Sequence, residues 1–240
     1  MKKIVLFLII CSCLNAFCVK DKIAAGKVGD YVVFAQGKMA AALLLRATSE
    51  TTMTLEEITI PLADSDSKNW KNWIEAKAPG HTAWTSYTID LKKNQIIECY
   101  SHSRKAWMAT NDPSNFLTKL LSLQLKTTPV DKRKRIGPPP AAEESDRRSL
   151  WLPPVVIEGK KIDKPNVSVW NGKWPHDETL LSDCTIEVYF GEFAFPHWIE
   201  VKSPHYTASL RTIDCGHGAT SPMPPTPELQ LESFLNKPSP

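Results

Sequence analysis

The sequence predicts a mainly β fold: two related antiparallel β halves, forming an open curved sheet or a sandwich, with one amphipathic helix packed against them. Three observations support this prediction. Short runs of β-branched and aromatic residues recur between turn residues, one segment carries apolar residues at helical spacing, and one motif occurs twice, beginning at Trp73 and at Trp198. The chain has 240 residues, of which 42% are hydrophobic and 23% charged, and this is enough to bury such a core.

The N-terminus has the three parts of a secretory signal. Lys2 and Lys3 are basic, residues 4–11 are apolar, and a small residue follows at Ala16. We predict a signal peptide over residues 1–18, cut after Ala16 or at the end of that range. The apolar run is about eight residues long, whereas a helix that spans a bilayer needs roughly 20. We therefore expect an exported protein of the periplasm or another extracytoplasmic part of the envelope, with no transmembrane span after cleavage.

The cysteines leave two questions open. Residues 10–13 resemble a bacterial lipobox, in which Cys13 would carry a lipid anchor. Cleavage after residue 18 leaves Cys99, Cys184 and Cys215, of which any two could form a disulfide, and the sequence does not choose the pair. Because no two cysteines have CxxC spacing, a zinc ribbon or a thioredoxin-type redox motif is not predicted.

Residues 27–126 are predicted to form the N-terminal β half. Its predicted strands are residues 30–34, 52–60, 88–91 and 95–100. The segment 39–45 suits either a strand or a buried helix. The alternation changes parity at Glu56 and Glu57, which favours a β-bulge there, and Lys92–Asn94 suits a hairpin loop.

One amphipathic helix is predicted over residues 113–125. Asp112 can cap its N-terminus, and Pro113 suits the first helical position. The apolar residues at helical spacing are Phe116, Leu117, Leu120 and Leu121. We expect this stripe to pack across the sheet.

The second half of the chain begins with a change in composition. Residues 127–165 are rich in proline and charge and are predicted to be a linker or a long irregular wrap, because proline cannot donate to a β ladder. Strand patterns return in residues 166–218, the predicted C-terminal β half. Residues 219–240 are predicted to be a proline-rich tail.

The charge distribution argues against a nucleic-acid partner. The net charge of +3 includes Lys2 and Lys3 of the predicted signal peptide, so the mature chain would be nearly neutral. The basic run Lys132–Arg135 is soon followed by Glu143 and Glu144. We therefore expect a solvated, self-compensated stretch at that point.

The repeated motif is the most specific pattern in the sequence. Trp73–Pro79 reads WIEAKAP, and Trp198–Pro204 reads WIEVKSP. Both copies continue through Thr-Ala to Thr-Ile-Asp, which ends at Asp90 in the first copy and at Asp214 in the second. The two copies begin 125 residues apart. This distance is too long for the repeat of a solenoid and predicts two related halves.

If both copies are strands, alternate side chains share a face. The residues that would share it are Trp73, Glu75 and Lys77 in the first copy and Trp198, Glu200 and Lys202 in the second. The favoured interpretation is a solvated surface with Glu–Lys pairs. The alternative is that these six residues line a shared groove, and they are the candidate binding residues.

Patterns of catalytic chemistry are absent from the sequence. It contains no GxSxG, Walker loop, GxGxxG or HExxH motif. Cys215 lies close to His217, but near neighbours in sequence rarely have catalytic geometry. We therefore predict no catalytic residue, no metal site and no cofactor, and a Cys- or His-dependent hydrolase is the least favoured function.

The segment Lys27–Phe34, followed by a predicted β-meander and one amphipathic helix, resembles the lipoprotein-carrier-like (LolA-type) half-barrel proteins of the periplasm. The resemblance covers about residues 27–125 and rests on the order of elements. It implies an open, strongly curved antiparallel sheet, closed by helices, that shelters acyl chains. No functional residue follows from it.

The leading hypothesis is an exported, non-catalytic envelope protein that binds a hydrophobic ligand, a lipoprotein or another envelope component between its two β halves. The alternative is a structural or protein-interaction module of the cell envelope, in which segments rich in tryptophan and proline dock partner proteins. A buried apolar cavity would favour the first hypothesis. Exposed aromatic residues over a filled core would favour the second.

Overall fold

A computed structural model describes residues 16–65, 69–110, 116–141, 143–203 and 207–228. The strands are β1 Ala16–Cys18, β2 Tyr31–Gln36, β3 Met39–Thr48, β4 Thr52–Pro61, β5 Ala83–Asp90, β6 Gln95–Ser101, β7 Ala106–Trp107, β8 Gln124–Thr127, β9 Val155–Ile157, β10 Lys160–Ile162, β11 Ser168–Lys173, β12 Thr185–Phe190, β13 Pro196–Lys202 and β14 Thr207–Gly216. The α-helices are α1 Val19–Ala24, α2 Trp70–Glu75 and α3 Phe116–Ser122, and two 3₁₀ turns lie at Leu62–Asp64 and Val130–Lys132. No helix in these ranges is long and apolar enough to cross a membrane.

Twelve of the described strands form one open antiparallel sheet in the order β1-β8-β11-β12-β13-β14-β2-β3-β4-β5-β6-β7. Strands β2 to β7 are consecutive neighbours, as are β11 to β14, and the two groups meet where β14 pairs with β2, with Cys215 opposite Val32. The remaining strands, β9 and β10, form a separate hairpin. The predicted class, a mainly β protein with an open antiparallel sheet, is confirmed.

Both faces of the sheet are covered. Successive side chains of a strand point to opposite faces, so Val32 and Phe34 belong to the largest apolar cluster, whereas Tyr31 and Val33 belong to a second one. The largest cluster includes residues of α1 and α3 and defines the helix face. The opposite, outer face is covered by α2 over the N-terminal half and by the 151–162 segment over the C-terminal half.

The predicted helix is present, and its C-terminal end lies earlier than expected. Its proposed cap, Asp112, and Pro113 lie outside the described residues, and α3 ends at Ser122 rather than at residue 125. Leu120 and Leu121 are buried as the stripe predicted. After α3, Leu123 and Leu125 are also buried. Their two-residue spacing is typical of a strand, and Leu125 lies in β8. Helices α1 and α2 were not predicted.

The duplicated motif does not have one structure, so the prediction that both copies are strands is wrong. Trp73 and Glu75 lie in helix α2, and Lys77 follows with a left-handed backbone, φ 64°. Trp198, Glu200 and Lys202 lie on strand β13 and alternate as predicted. The two copies are both strands only in their later part, which runs from Ala83 to Asp90 in β5 and from Ala208 to Asp214 in β14.

Local context explains the difference. The side chain of Asn69 accepts a hydrogen bond from Asn72 N at 3.0 Å, which caps α2. Trp70, Trp73 and Ile74, at the i, i+3, i+4 spacing of a helix face, are buried together. The second copy instead lies between β12 and β14, which satisfy its backbone on both sides. The sequence similarity of the two copies therefore does not establish two structurally equivalent halves.

The predicted bulge at Glu56 and Glu57 is also wrong. Strand β4 pairs with β5 in unbroken register through both residues. The register shift lies on the neighbouring strand β3, between Leu45 and Ala47. The parity of the apolar residues changes because Met53 and Leu55 pack into the cluster of the helix face, whereas Ile58 and Ile60 pack into the cluster of the outer face.

The proline-rich segment packs against the outer face of the C-terminal half. The N–H of Glu158 donates to the carbonyl of Cys215 at 2.8 Å, and that of Gly159 donates to Asp214 Oδ1 at 3.1 Å. Val155 and Ile157 pack into the third apolar cluster beside Trp151. Residues 1–15 of the predicted signal peptide and 229–240 of the predicted tail lie outside the described residues.

Candidate functional site

An apolar cavity of about 600 Å³ lies on the helix face, beside α3. We call it the α3 groove. It is bounded by α3, by the 174–181 loop and by the neighbouring ends of β12, β13, β14 and β2. Its lining residues are Gln36, Phe116, Leu120, Trp174, Thr179, Leu180, Leu181, Ile186, Ile199, Val201, Ala208, Ser209 and Leu210.

Strand alternation and helix packing supply the walls of the α3 groove. Ile199 and Val201, two residues apart on β13, point to the helix face and form its floor with Ile186 of β12. On the opposite side, the ring of Phe116 stacks on Trp174, with centroids 5.4 Å apart and planes at 20°. This contact joins the start of α3 to the loop that follows β11.

A carboxylate fixes the position of that loop. Asp177 Oδ2 accepts hydrogen bonds from Lys119 Nζ at 2.6 Å and from Trp174 Nε1 at 2.9 Å, and Oδ1 accepts from Thr179 Oγ1 at 2.6 Å. These donors, Lys119 first, hold the pKa of Asp177 well below its usual range. The ionised carboxylate of Asp177 therefore connects α3 to the 174–181 loop.

The described lining of the α3 groove carries no charged side chain. Gln36, Thr179 and Ser209 are polar, and the other lining residues are aliphatic or aromatic. Two large apolar side chains remain open to solvent, Leu180 at 88% exposure and Phe116 at 45%. Such a surface favours an apolar occupant over an ionic one.

The six predicted binding residues lie elsewhere, in two separate clusters. Trp73 lies on the buried face of α2, and its indole donates to the carbonyl of Pro79 at 3.0 Å. The side chain of Glu75 accepts from the N–H of Thr220 at 3.1 Å. Lys77 is exposed. The structure does not assemble these residues with the second copy, and none of the six lines the α3 groove.

The second triad forms a charged patch on the outer face. Glu200 lies directly opposite Glu187 on β12, and both are 4% exposed. Lys202 bonds Glu187 at 2.8 Å and Lys134 bonds Glu200 at 3.2 Å, so each carboxylate has its own cation. Trp198 packs edge-on against a neighbouring indole at 5.3 Å. This arrangement stabilises two adjacent buried carboxylates.

The cysteines considered for a disulfide are buried thiols. Cys99 and Cys184 are buried within the apolar cluster of the helix face, as is Cys215. Cys215 Sγ donates to the carbonyl of Val156 at 3.2 Å, and burial, followed by the nearby Asp214, raises its pKa to about 12. A nucleophilic cysteine needs the thiolate, so this geometry gives no support to a Cys215 hydrolase. Cys13 lies outside the described residues.

Comparison with known families gives one match. The family described as CT021 protein matches residues 41–163, half of the chain. The chain belongs to the CT021 family. A search of curated proteins found no match.

A solved structure of the hypothetical protein CT021 from Chlamydia trachomatis has a similar fold. The TM-score is 0.66 at 24% sequence identity, over 90% of this chain and all of that chain. At this identity the likeness concerns the fold alone. It shows that the architecture described above occurs in a second CT021 chain.

A buried charge network in this CT021 chain was missed by the sequence reasoning. Glu56, fully buried, is bonded by Arg46 and accepts from Trp84 Nε1 at 3.1 Å and from Ser86 Oγ at 3.3 Å. The Ser86 hydroxyl also lies 2.8 Å from His102 Nε2. The available signal was the carboxylate of Glu56 within an otherwise apolar predicted strand.

This network resembles a hydrolase triad in composition but not in geometry. In a triad the carboxylate binds the imidazole nitrogen that faces away from the nucleophile. Here Glu56 Oε1 approaches Nε2 of His102, at 3.9 Å, and Nε2 is also the nitrogen that contacts Ser86. Ser86 is only 2% exposed. We interpret the network as structural.

The α3 groove was also missed. Its residues come from α3, from the 174–181 loop and from four strands that are neighbours only in the folded sheet. The one local signal was the pair Leu180–Leu181 within an otherwise polar segment. That pair alone does not identify the strands that complete the groove.

Proposed function

We propose that this protein is an exported, non-catalytic envelope protein that binds a hydrophobic ligand in the α3 groove. The observation that carries the proposal is an apolar groove of about 600 Å³ with uncharged lining. Ligand sites are typically clefts of about 300–1,000 Å³, lined mostly by apolar side chains with a few polar ones. The α3 groove matches that description in volume and in composition.

The fold is consistent with the proposal. Helices α1 and α3 lie on the same face of an open antiparallel sheet and share its main apolar cluster. An open sheet closed by helices is also what the resemblance to lipoprotein-carrier-like proteins implied. The ligand would lie between the sheet and α3, rather than between the two copies of the repeated motif.

Filling the α3 groove is expected to weaken ligand binding at least tenfold. Ala208 is an exposed lining residue of β14, so Ala208→Trp places an indole in the groove without changing the buried core. We expect this variant to bind a fluorescent fatty acid at least tenfold more weakly, because the indole occupies the volume that the hydrocarbon part of the probe needs. A fluorescence titration measures this effect.

The matched control is Ala106→Trp, which places the same side chain at an exposed alanine on β7, at the far edge of the sheet. We expect it to bind the probe as the unmodified protein does. Equal loss of binding in both variants, or no binding to the unmodified protein, would contradict the proposal.

The proposed export also predicts at which residue the mature protein begins. Phe17 packs edge-on against Trp170, with centroids 4.4 Å apart, and β1 pairs with β8 through Cys18 and its neighbours. Cleavage after residue 18 would remove this strand, whereas cleavage after Ala16 keeps Phe17. We expect the intact mass of protein from the envelope fraction to include Phe17. A mature chain that begins at Val19, or protein recovered only from the cytoplasm, would contradict this expectation.

A further inference from the structure

We infer that a second, smaller cavity, beside His197, binds an uncharged hydroxyl compound about the size of phenol, which forms a hydrogen bond with the imidazole. This cavity shares none of its described lining residues with the α3 groove, and the inference does not depend on the proposed function. Three features support it: the way in which the sheet holds His197, a ring nitrogen without a hydrogen-bond partner, and the composition of the cavity walls.

A break in the strand pairing sets the position of His197. Tyr189 of β12 pairs with Trp198, whereas the next residue of β12 pairs with Pro196. His197 is therefore an extra residue on β13. A β-bulge of this kind changes the direction of a side chain and is common beside functional sites. The His197 side chain is 1% exposed and lines a cavity of about 180 Å³.

The buried ring of His197 lacks a hydrogen bond that such a group normally makes. Its Nδ1 has no partner among the described residues. Its Nε2 faces Gly191, where a Cβ atom would lie only 2.5 Å away. Because glycine has no Cβ, this edge of the ring is open to the cavity, which both residues line. Burial lowers the pKa of His197 to about 4, so at neutral pH the ring is uncharged and offers one donor and one acceptor.

The walls of the cavity favour an organic molecule over water. Its apolar lining residues are Val155, Ile157, Ile162, Pro165 and Phe193. The volume corresponds to about six molecules of liquid water, at about 30 Å³ each, and a buried water needs about two to four polar partners. A cavity of about 150 Å³ with apolar walls is known to bind benzene. A molecule about the size of phenol therefore fits the cavity beside His197.

The polar lining residues favour an uncharged group. Lys164, Asn166 and Glu192 line the cavity and are exposed, so the cavity opens to solvent beside them. The two charged residues have opposite signs. A charged group deeper in the cavity would lose its hydration and face a neutral imidazole. A hydroxyl group both donates and accepts, so it can bond to Nε2 in either tautomer of the ring.

The test is titration of the whole protein with phenol and with toluene, which has a similar shape but no hydroxyl group. Long-range ¹H–¹⁵N NMR observes the ring nitrogens of each histidine. We expect phenol to bind with a dissociation constant below about 5 mM, and to shift the Nε2 resonance of His197 more than toluene does. Phenol bound elsewhere, for example in the α3 groove, would leave this resonance unshifted and would overturn the inference.

A substitution of the histidine separates the hydrogen bond from simple filling of the cavity. His197→Phe keeps an aromatic ring and removes both nitrogens. We expect the ratio of phenol affinity to toluene affinity to fall at least fivefold, because the hydroxyl of bound phenol then has no partner. The matched control is His176→Phe, at a histidine whose side chain is 87% exposed. This variant should keep the ratio of the unmodified protein.

A second variant changes the cavity and leaves His197 in place. Gly191→Ala puts a methyl group against Nε2 and should weaken phenol binding at least fivefold. If one of the two variants does not fold, the other variant and the His197 resonances decide. The inference is overturned if phenol does not bind, if phenol and toluene shift Nε2 equally, or if the affinity ratio falls less than fivefold in His197→Phe.

Discussion

Replacing Arg46 with methionine is expected to lower the free energy of unfolding by about 3–5 kcal/mol, because it leaves the charge of Glu56 buried without its partner. The Glu56 side chain has no exposed surface, and that of Arg46 is 20% exposed. The same guanidinium donates to the carbonyls of Met223 and Pro224 at 2.9 and 3.0 Å. Urea unfolding measures the loss, and hydrogen exchange should show release of residues 219–224.

Two further variants test the cause of this loss. Arg211→Met removes an exposed arginine from β14 and should change stability by less than about 0.5 kcal/mol. The double variant Arg46→Met with Glu56→Gln removes both charges and should be more stable than Arg46→Met alone. A cost for Arg46→Met below about 1 kcal/mol would show that Glu56 is not held by this ion pair.

Acidification from pH 6.5 to pH 4 is expected to destabilise the protein through His197. Burial lowers the pKa of His197 from 6.5 to about 4, and the nearby Lys22 acts in the same direction. Over this range the unfolded chain binds a proton at His197 and the folded chain does not, so stability falls as the pH falls. The contribution reaches about 3 kcal/mol near pH 4.

Other groups titrate in this range, so the measurement compares variants. Burial also lowers the pKa of His102, which adds to the loss, whereas burial raises the pKa of Asp214, which opposes it. His197→Gln removes only the first contribution. We expect the difference in unfolding free energy between His197→Gln and the unmodified protein to shift by about 3 kcal/mol between pH 7 and pH 4. A pH-independent difference between His197→Gln and the unmodified protein would contradict the prediction.

The sequence predicted what depends on near neighbours in the chain. Alternation over a few residues indicated the strands β2, β4, β5 and β6, and the spacing of Leu120 and Leu121 indicated α3, because both patterns report which side of an element is buried. Trp73 shows the limit of this reasoning. Its heptapeptide is nearly identical to the one at Trp198, yet an Asn69 cap in one case and two flanking strands in the other decide helix or strand.

The candidate site was less predictable because it depends on contacts between distant segments. Ile186 and Val201 were recognisable as strand residues, but only the β12–β13 register places them opposite each other. Asp177 lies in a loop, and the bond that gives it a structural role comes from Lys119, which is distant in sequence. A bulge was predicted at Glu56 because the apolar residues of β4 change from one buried face of the sheet to the other at this point.

The pairing of β14 with β2 has a consequence for the order of folding. Val32 and Cys215 are partners in the sheet although they lie near opposite ends of the chain. The two strands can therefore pair only after almost the whole polypeptide has been made. Contacts so distant in sequence form slowly because a long loop must first close. Until then, the β2 edge of the N-terminal meander presents unsatisfied N–H and C=O groups that can pair with another chain. Nascent molecules are therefore most prone to aggregate in the interval between synthesis of β2 and synthesis of β14.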